Sequence, residues 1–197
     1  MSDIKSEIYR YFQQREELYP GDFIARPDKH IPDIQPEVKK VNKIREYLFL
    51  DAGNPLSKIL FVCTRPLKAD IEKGEILSGE PGELFDKILK AIDLSRKDVY
   101  ITSLYHVSKE GKLSNTPDMN AFEKTVNERK PELIISLGEN AGNTLMKKNH
   151  KLAEIHGKIF KYNQVDLIYT YHPGQIIKNT SLKRPVWEDF KIIKSLI

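Results

Sequence analysis

Near its carboxyl end the chain reads Tyr169-Thr170-Tyr171-His172-Pro173-Gly174-Gln175, and this stretch decides how the rest is interpreted. The apolar run from Val165 to Tyr171 predicts a strand, and Pro173 restricts the backbone where a turn begins. Open α/β sheets place their chemistry at the carboxyl ends of their strands. His172 is therefore a candidate functional residue, provided that the rest of the chain predicts such a sheet.

Upstream of this turn, apolar strand-like runs alternate with helical patterns. Strands are predicted at 58–63, 99–105, 133–137, 157–162 and 165–171, and helices at 84–92, 117–129, 139–148 and 185–196. A long loop with several glycines and prolines is predicted at 64–82. This alternation predicts an α/β protein, a three-layer α/β/α sandwich with a central, mostly parallel four-stranded sheet.

The first quarter of the chain has a different pattern. Residues 2–18 predict an amphipathic helix, 19–37 an extended proline-rich arm, and residues around 37–48 a short helix. We therefore expect an amino-terminal helix and arm over 1–47 and an α/β domain over 48–197. The 197 residues suit one compact domain overall.

The composition excludes several function classes. The 32 basic and 28 acidic residues give a mixed surface with a net charge of +4, which favours a polyanionic partner only mildly. No apolar run approaches the roughly 20 residues of a membrane span and no leader pattern appears, so we expect no membrane partner and a cytoplasmic location. Neither a phosphate-binding loop motif nor a nucleophile elbow occurs, which argues against an unrelated nucleotide-binding protein or α/β hydrolase.

The chain contains one cysteine, Cys63. A single thiol excludes an intramolecular disulfide and any zinc or iron–sulfur site built from several cysteines of one chain. We therefore expect no metal and no cofactor.

Six stretches occur in an order and spacing that are informative together. They are Phe61-Val62-Cys63-Thr64-Arg65-Pro66, the loop from Gly74 to Asp86, Asp98-Val99-Tyr100-Ile101-Thr102-Ser103, the segment from Pro131 to Ala141, Thr170-Tyr171-His172-Pro173 and the segment from Lys183 to Phe190. Taken together, these motifs resemble the uracil-DNA glycosylase superfamily, most of all its family-4, iron–sulfur type. The resemblance covers about residues 48–197 and implies a uracil-DNA glycosylase-like fold.

The resemblance implies roles for individual residues, and departures from the family pattern are as informative. His172 matches the histidine that donates toward the carbonyl oxygen of the departing base. Thr64 replaces the glutamate that aligns water or balances positive charge on the sugar. Ser103 replaces the asparagine that reads the base edge, Leu77 replaces the phenylalanine that stacks on the base, and Cys63 replaces a glycine beside this base pocket. The four cysteines that bind the family-4 cluster are missing.

The resemblance also implies DNA as the partner. Loops that grip phosphate or wedge the groove in the family match Pro66, the Ser78-Gly79 turn and the turn formed by Pro173, Gly174 and Gln175. Lys183 and Arg184 follow and predict a basic strip. We expect a monomer, with a protein partner at the amino-terminal arm as an open alternative.

Two functions remain open at this point. The first is a DNA glycosylase that removes uracil or another deaminated base in base excision repair, with His172 and Thr64 as catalytic residues. The second is a catalytically weak or inactive homologue that acts as a DNA- or protein-binding module. The loss of the motif carboxylate and asparagine leaves the choice between enzyme and module open.

Overall fold

The structure is a computed structural model that describes residues 47–197. The predicted helix at 2–18, the arm at 19–37 and residues 37–46 of the next predicted helix lie outside the described residues. Tyr47 and Leu48, the last two residues of that predicted helix, instead form a short strand.

The described part of the chain contains eight strands and seven α-helices. The strands are β1 (Tyr47–Leu48), β2 (Ala52–Gly53), β3 (Ile59–Cys63), β4 (Tyr100–Ser103), β5 (Val107–Ser108), β6 (Leu133–Leu137), β7 (Ile159–Tyr162) and β8 (Val165–Thr170). The helices are α1 (Lys68–Lys73), α2 (Gly79–Ala91), α3 (Met119–Arg129), α4 (Glu139–Met146), α5 (Leu152–Ile155), α6 (Pro173–Lys178) and α7 (Lys183–Ser195). Short 3₁₀ helices occur at Arg96–Asp98 and Thr180–Leu182.

The main sheet confirms the predicted fold class and corrects the strand number. Its order is β2-β4-β3-β6-β8-β7, and the four inner strands are mutually parallel. The sheet has six strands rather than four because an antiparallel strand is added at each edge, β2 against β4 and β7 against β8. β2 is only two residues long, too short to leave an apolar run in the sequence.

Apolar side chains cover both faces of this sheet. Successive residues of β3 point to opposite faces, so Phe61 belongs to one apolar cluster and Leu60 to the other. The first cluster includes Phe85 of α2 and Phe190 of α7, whereas the second includes Phe122 of α3. Burying a side chain of this size stabilises the fold by roughly 1.5–3 kcal/mol. Helices on both faces give the three expected layers.

The predicted loop at 64–82 contains regular structure that the sequence analysis missed. It includes α1 and the first turn of α2, which begins at Gly79. Pro81 is tolerated there because the first turn of a helix needs no donor from its backbone. Gly82 is required by close packing, since a Cβ at this position would lie 1.8 Å from the carbonyl oxygen of Leu77.

The register of the inner strands brings their carboxyl ends together. Cys63 of β3 pairs with Leu137 of β6, and Leu137 pairs with Thr170 of β8. The residues that follow these three strands therefore emerge side by side at one edge of the sheet. This edge carries the candidate site.

Candidate active site

A cleft of about 370 Å³ opens where β3, β6 and β8 end. Its walls come from the segment after β3, the start of α4 and the turn after β8. The lining residues are Thr64, Arg65, Leu67, Leu137, Gly138, Glu139, Asn140, His172 and Gln175. Three separate segments of the chain thus contribute polar side chains to one concave surface.

His172 is held by the helix that follows it. It caps the amino-terminal end of α6, where its Nδ1 accepts a hydrogen bond from the backbone N–H of Gly174 at 3.0 Å. Its own backbone N–H donates to Oε1 of Gln175, also at 3.0 Å. Because Nδ1 accepts from an N–H, the proton of the neutral ring resides on Nε2. The imidazole is thereby prepared as a hydrogen-bond donor.

Burial also keeps this imidazole neutral. Removal from water lowers the pKa of His172 from its ordinary 6.5 to about 4. The ring is consequently uncharged at neutral pH. A neutral donor suits a site where negative charge develops only during the reaction.

A buried polar network anchors the end of β8, two residues before His172. The Asp189 carboxylate, on α7, accepts a hydrogen bond from Oγ1 of Thr170 at 2.7 Å. Its other oxygen lies 2.7 Å from Nδ1 of His156. Burial raises the pKa of Asp189, and the hydrogen bonds from His156 and Thr170 oppose that rise. The network ties the strand that leads into the His172 turn to the last helix.

Thr64 and Arg65 form the opposite wall of the cleft. The carbonyl oxygen of Thr64 accepts hydrogen bonds from the backbone N–H groups of Leu104 and Tyr105, each at 3.1 Å. The guanidinium of Arg65 lies 4.7 Å from the ring centroid of Tyr105, which is a cation–π contact. Thr64 thus lines the cleft with a side chain that carries no charge, and its role beside the water stays a prediction.

The loop that follows β3 is held by a carboxylate away from the cleft. Asp70 is buried, and its two oxygens accept from the backbone N–H groups of Leu67 at 2.7 Å and Ser78 at 2.6 Å. Burial raises the pKa of Asp70 despite these two donors. Arg96 adds a second tie, because its Nη2 donates to the carbonyl oxygen of Leu77 at 2.6 Å.

The structure brings Thr64 and His172 to the cleft but keeps the three predicted base-pocket residues in the interior. Cys63, Leu77 and Ser103 are each 1% exposed. Burial raises the pKa of the Cys63 thiol above its ordinary range. Oγ of Ser103 donates to the carbonyl oxygen of Tyr105 at 2.7 Å, and Leu77 packs in the core with a φ of 55°. A role of these three in base recognition stays a prediction.

The predicted DNA contacts differ in accessibility. Pro66 and Pro173 are buried, Ser78 is buried with its hydroxyl donating to the carbonyl oxygen of Glu75, and Gly79 and Gly174 are half-buried. Gln175, Lys183 and Arg184 are exposed, and Gln175 also lines the cleft. Contacts of all these residues with DNA stay predictions.

The sequence analysis missed Glu139 and Asn140 as cleft residues. Both lie in the first turn of α4, directly after Gly138 and the end of β6. The available signal was their position, because side chains that follow a parallel strand meet at the carboxyl edge of the sheet. Both lie in the segment from Pro131 to Ala141 that carries part of the resemblance, but the sequence analysis gave neither residue a role.

A second polar cleft of about 330 Å³ adjoins the first. The two clefts share Thr64, Arg65 and Asn140. The remaining lining residues of the second are Tyr105, Asn143, Thr144, Lys148 and Asn149. Amides, hydroxyls and cations thus extend the polar surface beyond the His172 cleft.

Two further findings concern metals and membranes. Among residues 47–197, no group of three or more His, Cys, Asp or Glu side chains is arranged to hold a metal ion. In the same range, no helix has both the length and the apolar character needed to cross a membrane.

Comparison with known families confirms the resemblance seen in the motifs. Residues 50–191 match the profile of the uracil DNA glycosylase superfamily, and the chain belongs to this family. The matched range includes β3, β6, β8 and the cleft at their carboxyl ends.

Curated relatives are of the type that the motifs suggested. The chain is 25% identical over 183 residues to a type-4 uracil-DNA glycosylase of Saccharolobus solfataricus, covering 83% of this chain and 85% of the relative. It is 26% identical over 157 residues to a type-4 uracil-DNA glycosylase of Archaeoglobus fulgidus, covering 73% of this chain and 79% of the relative. It is also 26% identical over 167 residues to a type-4 uracil-DNA glycosylase of Thermotoga maritima, covering 78% of this chain and 84% of the relative. Among solved structures, wild-type Pedobacter heparinus SMUG2 is 13% identical with a TM-score of 0.41, covering 98% of this chain and 96% of that chain.

Proposed function

We propose that this chain is a DNA glycosylase that hydrolyses the N-glycosidic bond of uracil or another deaminated base in DNA. The observation that carries the proposal is the neutral His172, which lines a cleft at the carboxyl edge of the sheet with Nδ1 engaged and the proton on Nε2. Membership of the uracil DNA glycosylase superfamily supports the same reaction. A monomer acting in the cytoplasm is part of this proposal.

The chemistry required of the cleft follows from the bond that breaks. When the bond between C1′ and the base nitrogen breaks, its electron pair leaves with the base, and positive charge develops on the sugar. Nε2–H of His172 donates a hydrogen bond to the carbonyl oxygen on which the negative charge accumulates. A donor placed where charge develops contributes about 3–4 kcal/mol to transition-state stabilisation. Water then adds to C1′ and completes the hydrolysis.

Extrusion of the base requires contacts that hold the DNA strand on either side of it. We assign these contacts to the turn formed by Pro173, Gly174 and Gln175 and to the exposed cations Lys183 and Arg184. The second polar cleft, with Arg65 and Lys148, adds groups that suit phosphate and base contacts. These contacts hold DNA in place but do not specify the base.

A second candidate function is a DNA-binding module without catalysis. The observation that favours it is the uncharged Thr64 at the position where the family carries a carboxylate. Losing a general base lowers a rate by roughly 10²–10⁴-fold. Enzymes accelerate reactions by about 10⁶-fold or more, so a slow glycosylase is compatible with this loss.

The deciding experiment is an excision assay on single-stranded oligonucleotides that carry uracil, hypoxanthine or xanthine, since base extrusion costs least in a single strand. We expect slow cleavage of at least one substrate and a loss of about 10²-fold or more in His172→Ala. His172→Asn is the matched variant, because an asparagine still caps α6 through its side-chain oxygen but lacks the imidazole Nε2–H. We expect the same loss in this variant.

Two results would favour the module instead. The first is binding of these oligonucleotides without cleavage by the wild type or by Thr64→Glu, which restores the family carboxylate. The second is full activity of His172→Asn, because that would reduce His172 to a helix cap.

A further inference from the structure

Glu139 gives the His172 cleft a carboxylate. Among the described residues that line this cleft, Glu139 is the one acidic side chain, and Arg65 is the one cation. The carboxylate enters from β6, the strand next to β3, whereas the uncharged Thr64 enters from β3 itself. Neighbouring strands lie about 4.8 Å apart, so residues that follow them reach the same space.

One oxygen of Glu139 is held in place and the other remains available. Oε2 accepts a hydrogen bond from the backbone N–H of Leu152 at 2.6 Å, which ties the side chain to the start of α5. Oε1 has no hydrogen-bond partner among residues 47–197. The side chain is half-buried, and Glu139 is one of the residues that line the cleft. A single anchoring bond of this kind restricts the rotamer without occupying the second oxygen.

Carboxylates of the loop after β3 are engaged elsewhere. Both oxygens of Asp70 accept backbone N–H groups, and Glu75 pairs with Arg96 at 3.0 Å. Glu72 lies 3.7 Å from Lys68 on the exposed side of α1. None of these three lines the His172 cleft. No carboxylate of this loop lines the cleft, and Arg65 is the one charged residue that the loop supplies to it.

We propose that Glu139 activates the water in place of the motif carboxylate that Thr64 has lost; this inference rests on the proposed glycosylase function. Oε1 accepts a proton from water as the water oxygen forms its bond to C1′. The C1′–N bond breaks, its electron pair leaves with the base, and His172 donates to the base oxygen. The leaving base takes up a proton from solvent, and Glu139 returns its proton to solvent. The products are the free base and an abasic site.

The variant Glu139→Gln tests the proposed proton acceptor without removing the hydrogen bond to Leu152. Its amide oxygen still accepts the N–H of Leu152, so α5 stays tied, while the charge and the proton acceptor are removed. Glu154→Gln is the matched control, because Glu154 is an exposed carboxylate of α5 that lines neither cleft. We expect Glu139→Gln to lower the single-turnover rate of uracil excision from a single strand by about 10²-fold or more. Melting temperature and oligonucleotide affinity should equal those of Glu154→Gln.

A second variant tests whether the lost charge is the cause. Thr64→Glu introduced into the Glu139→Gln chain places a carboxylate at the family's own position on the neighbouring strand. We expect this double variant to recover at least about tenfold of the lost rate. A purely structural role of Glu139 predicts no such recovery.

The outcomes are distinguishable. Wild-type excision together with a fully active Glu139→Gln overturns the role of Glu139 and leaves the glycosylase function intact. A rate loss that accompanies a lower melting temperature and shows no recovery in the double variant also overturns it, because Glu139 is then only a tie to α5. A wild-type chain that excises none of the three bases overturns the glycosylase function and this role together.

Discussion

The turn after β8 and the loop after β3 reach the same cleft, but the first is anchored by a residue that lines the cleft and the second by a residue that does not. In the β8 turn the functional side chain is itself the anchor, because His172 caps α6 through Nδ1 and so directs its proton to Nε2. In the β3 loop the anchor is Asp70, which is buried away from the cleft. Within residues 47–197, Thr64 is held there through its carbonyl oxygen, which accepts from Leu104 and Tyr105. In the β8 turn, a single residue, His172, both anchors the segment and lines the cleft. In the β3 loop, Asp70 anchors the segment and Thr64 lines the cleft.

The two segments also differ in charge. Residues 64–83 after β3 carry five acidic side chains (Asp70, Glu72, Glu75, Glu80 and Glu83) against three basic ones (Arg65, Lys68 and Lys73), whereas Lys178, Lys183 and Arg184 follow the β8 turn. The acidic excess after β3 and the basic residues after β8 favour approach of a polyanion near Lys183 and Arg184. We therefore expect the residues after β8 to make most of the contacts with a polyanion, whereas on the β3 side Asp70 stabilises the loop and Arg65 adds one cation.

The largest expected effect concerns the His172 imidazole. We expect it to titrate at about pH 4 rather than at the ordinary 6.5, a roughly 300-fold loss of proton affinity that follows from burial. The unfolded chain binds this proton near pH 6.5, whereas the folded chain binds it only near pH 4. Lowering the pH from about 6.5 to about 4 therefore lowers the free energy of unfolding. Nuclear magnetic resonance of the ring nitrogens measures both the titration and the Nε2–H tautomer. Titration near 6.5, or a proton on Nδ1, contradicts the anchoring of His172.

The next effect tests the anchor of the β3 loop. Asp70→Ala leaves two backbone N–H groups, those of Leu67 and Ser78, without their acceptor. Each such loss costs about 1–3 kcal/mol, so we expect the free energy of unfolding to fall by about 2–6 kcal/mol in urea titrations. Glu75→Ala is the control from the same loop, because an exposed ion pair contributes about 1 kcal/mol or less. Equal losses in the two variants would show that Asp70 does not hold the loop.

The smallest effect tests the charge difference. Binding to a single-stranded oligonucleotide should weaken as salt rises. The double variant Lys183→Ala with Arg184→Ala should reduce the slope of log affinity against log salt by about 0.7 for each lost phosphate contact. Lys68→Ala with Lys73→Ala, the matched change on α1, should leave the slope unchanged. An identical slope in the wild type and both variants removes the basic strip from the interface.

Most of the fold could be predicted from the sequence, because buried strands leave a recognisable pattern. The inner strands β3, β6 and β8 are buried on both faces, so each appears as a nearly continuous apolar run. Helix α3 was predicted from 117 but begins at Met119, because Asp118 is its cap and accepts the N–H of Ala121. Helix α1 was missed because a six-residue helix in a glycine- and proline-rich stretch depends on the Asp70 contacts rather than on propensity.

The candidate site was readable only in part. Motif order marked His172 and Thr64, and the structure places both at the cleft. The direction of a side chain depends on local backbone, and no pattern reveals that Leu77 has a positive φ and turns into the core. Glu139 lies in the segment from Pro131 to Ala141, in which the sequence analysis assigned no site residue, and its proposed role depends on the neighbouring strand rather than on its own segment.

The Thr170–Asp189–His156 network has a consequence for how the chain is made. The strand that leads into His172 has its buried hydroxyl satisfied by a carboxylate of α7, nineteen residues later. While the chain is still emerging from the ribosome, β8 and the His172 turn are already synthesised but lack that partner. The end of β8 is therefore anchored only once the final helix is made, and a nascent chain that stalls before Asp189 carries every cleft residue but lacks the carboxylate that holds Thr170.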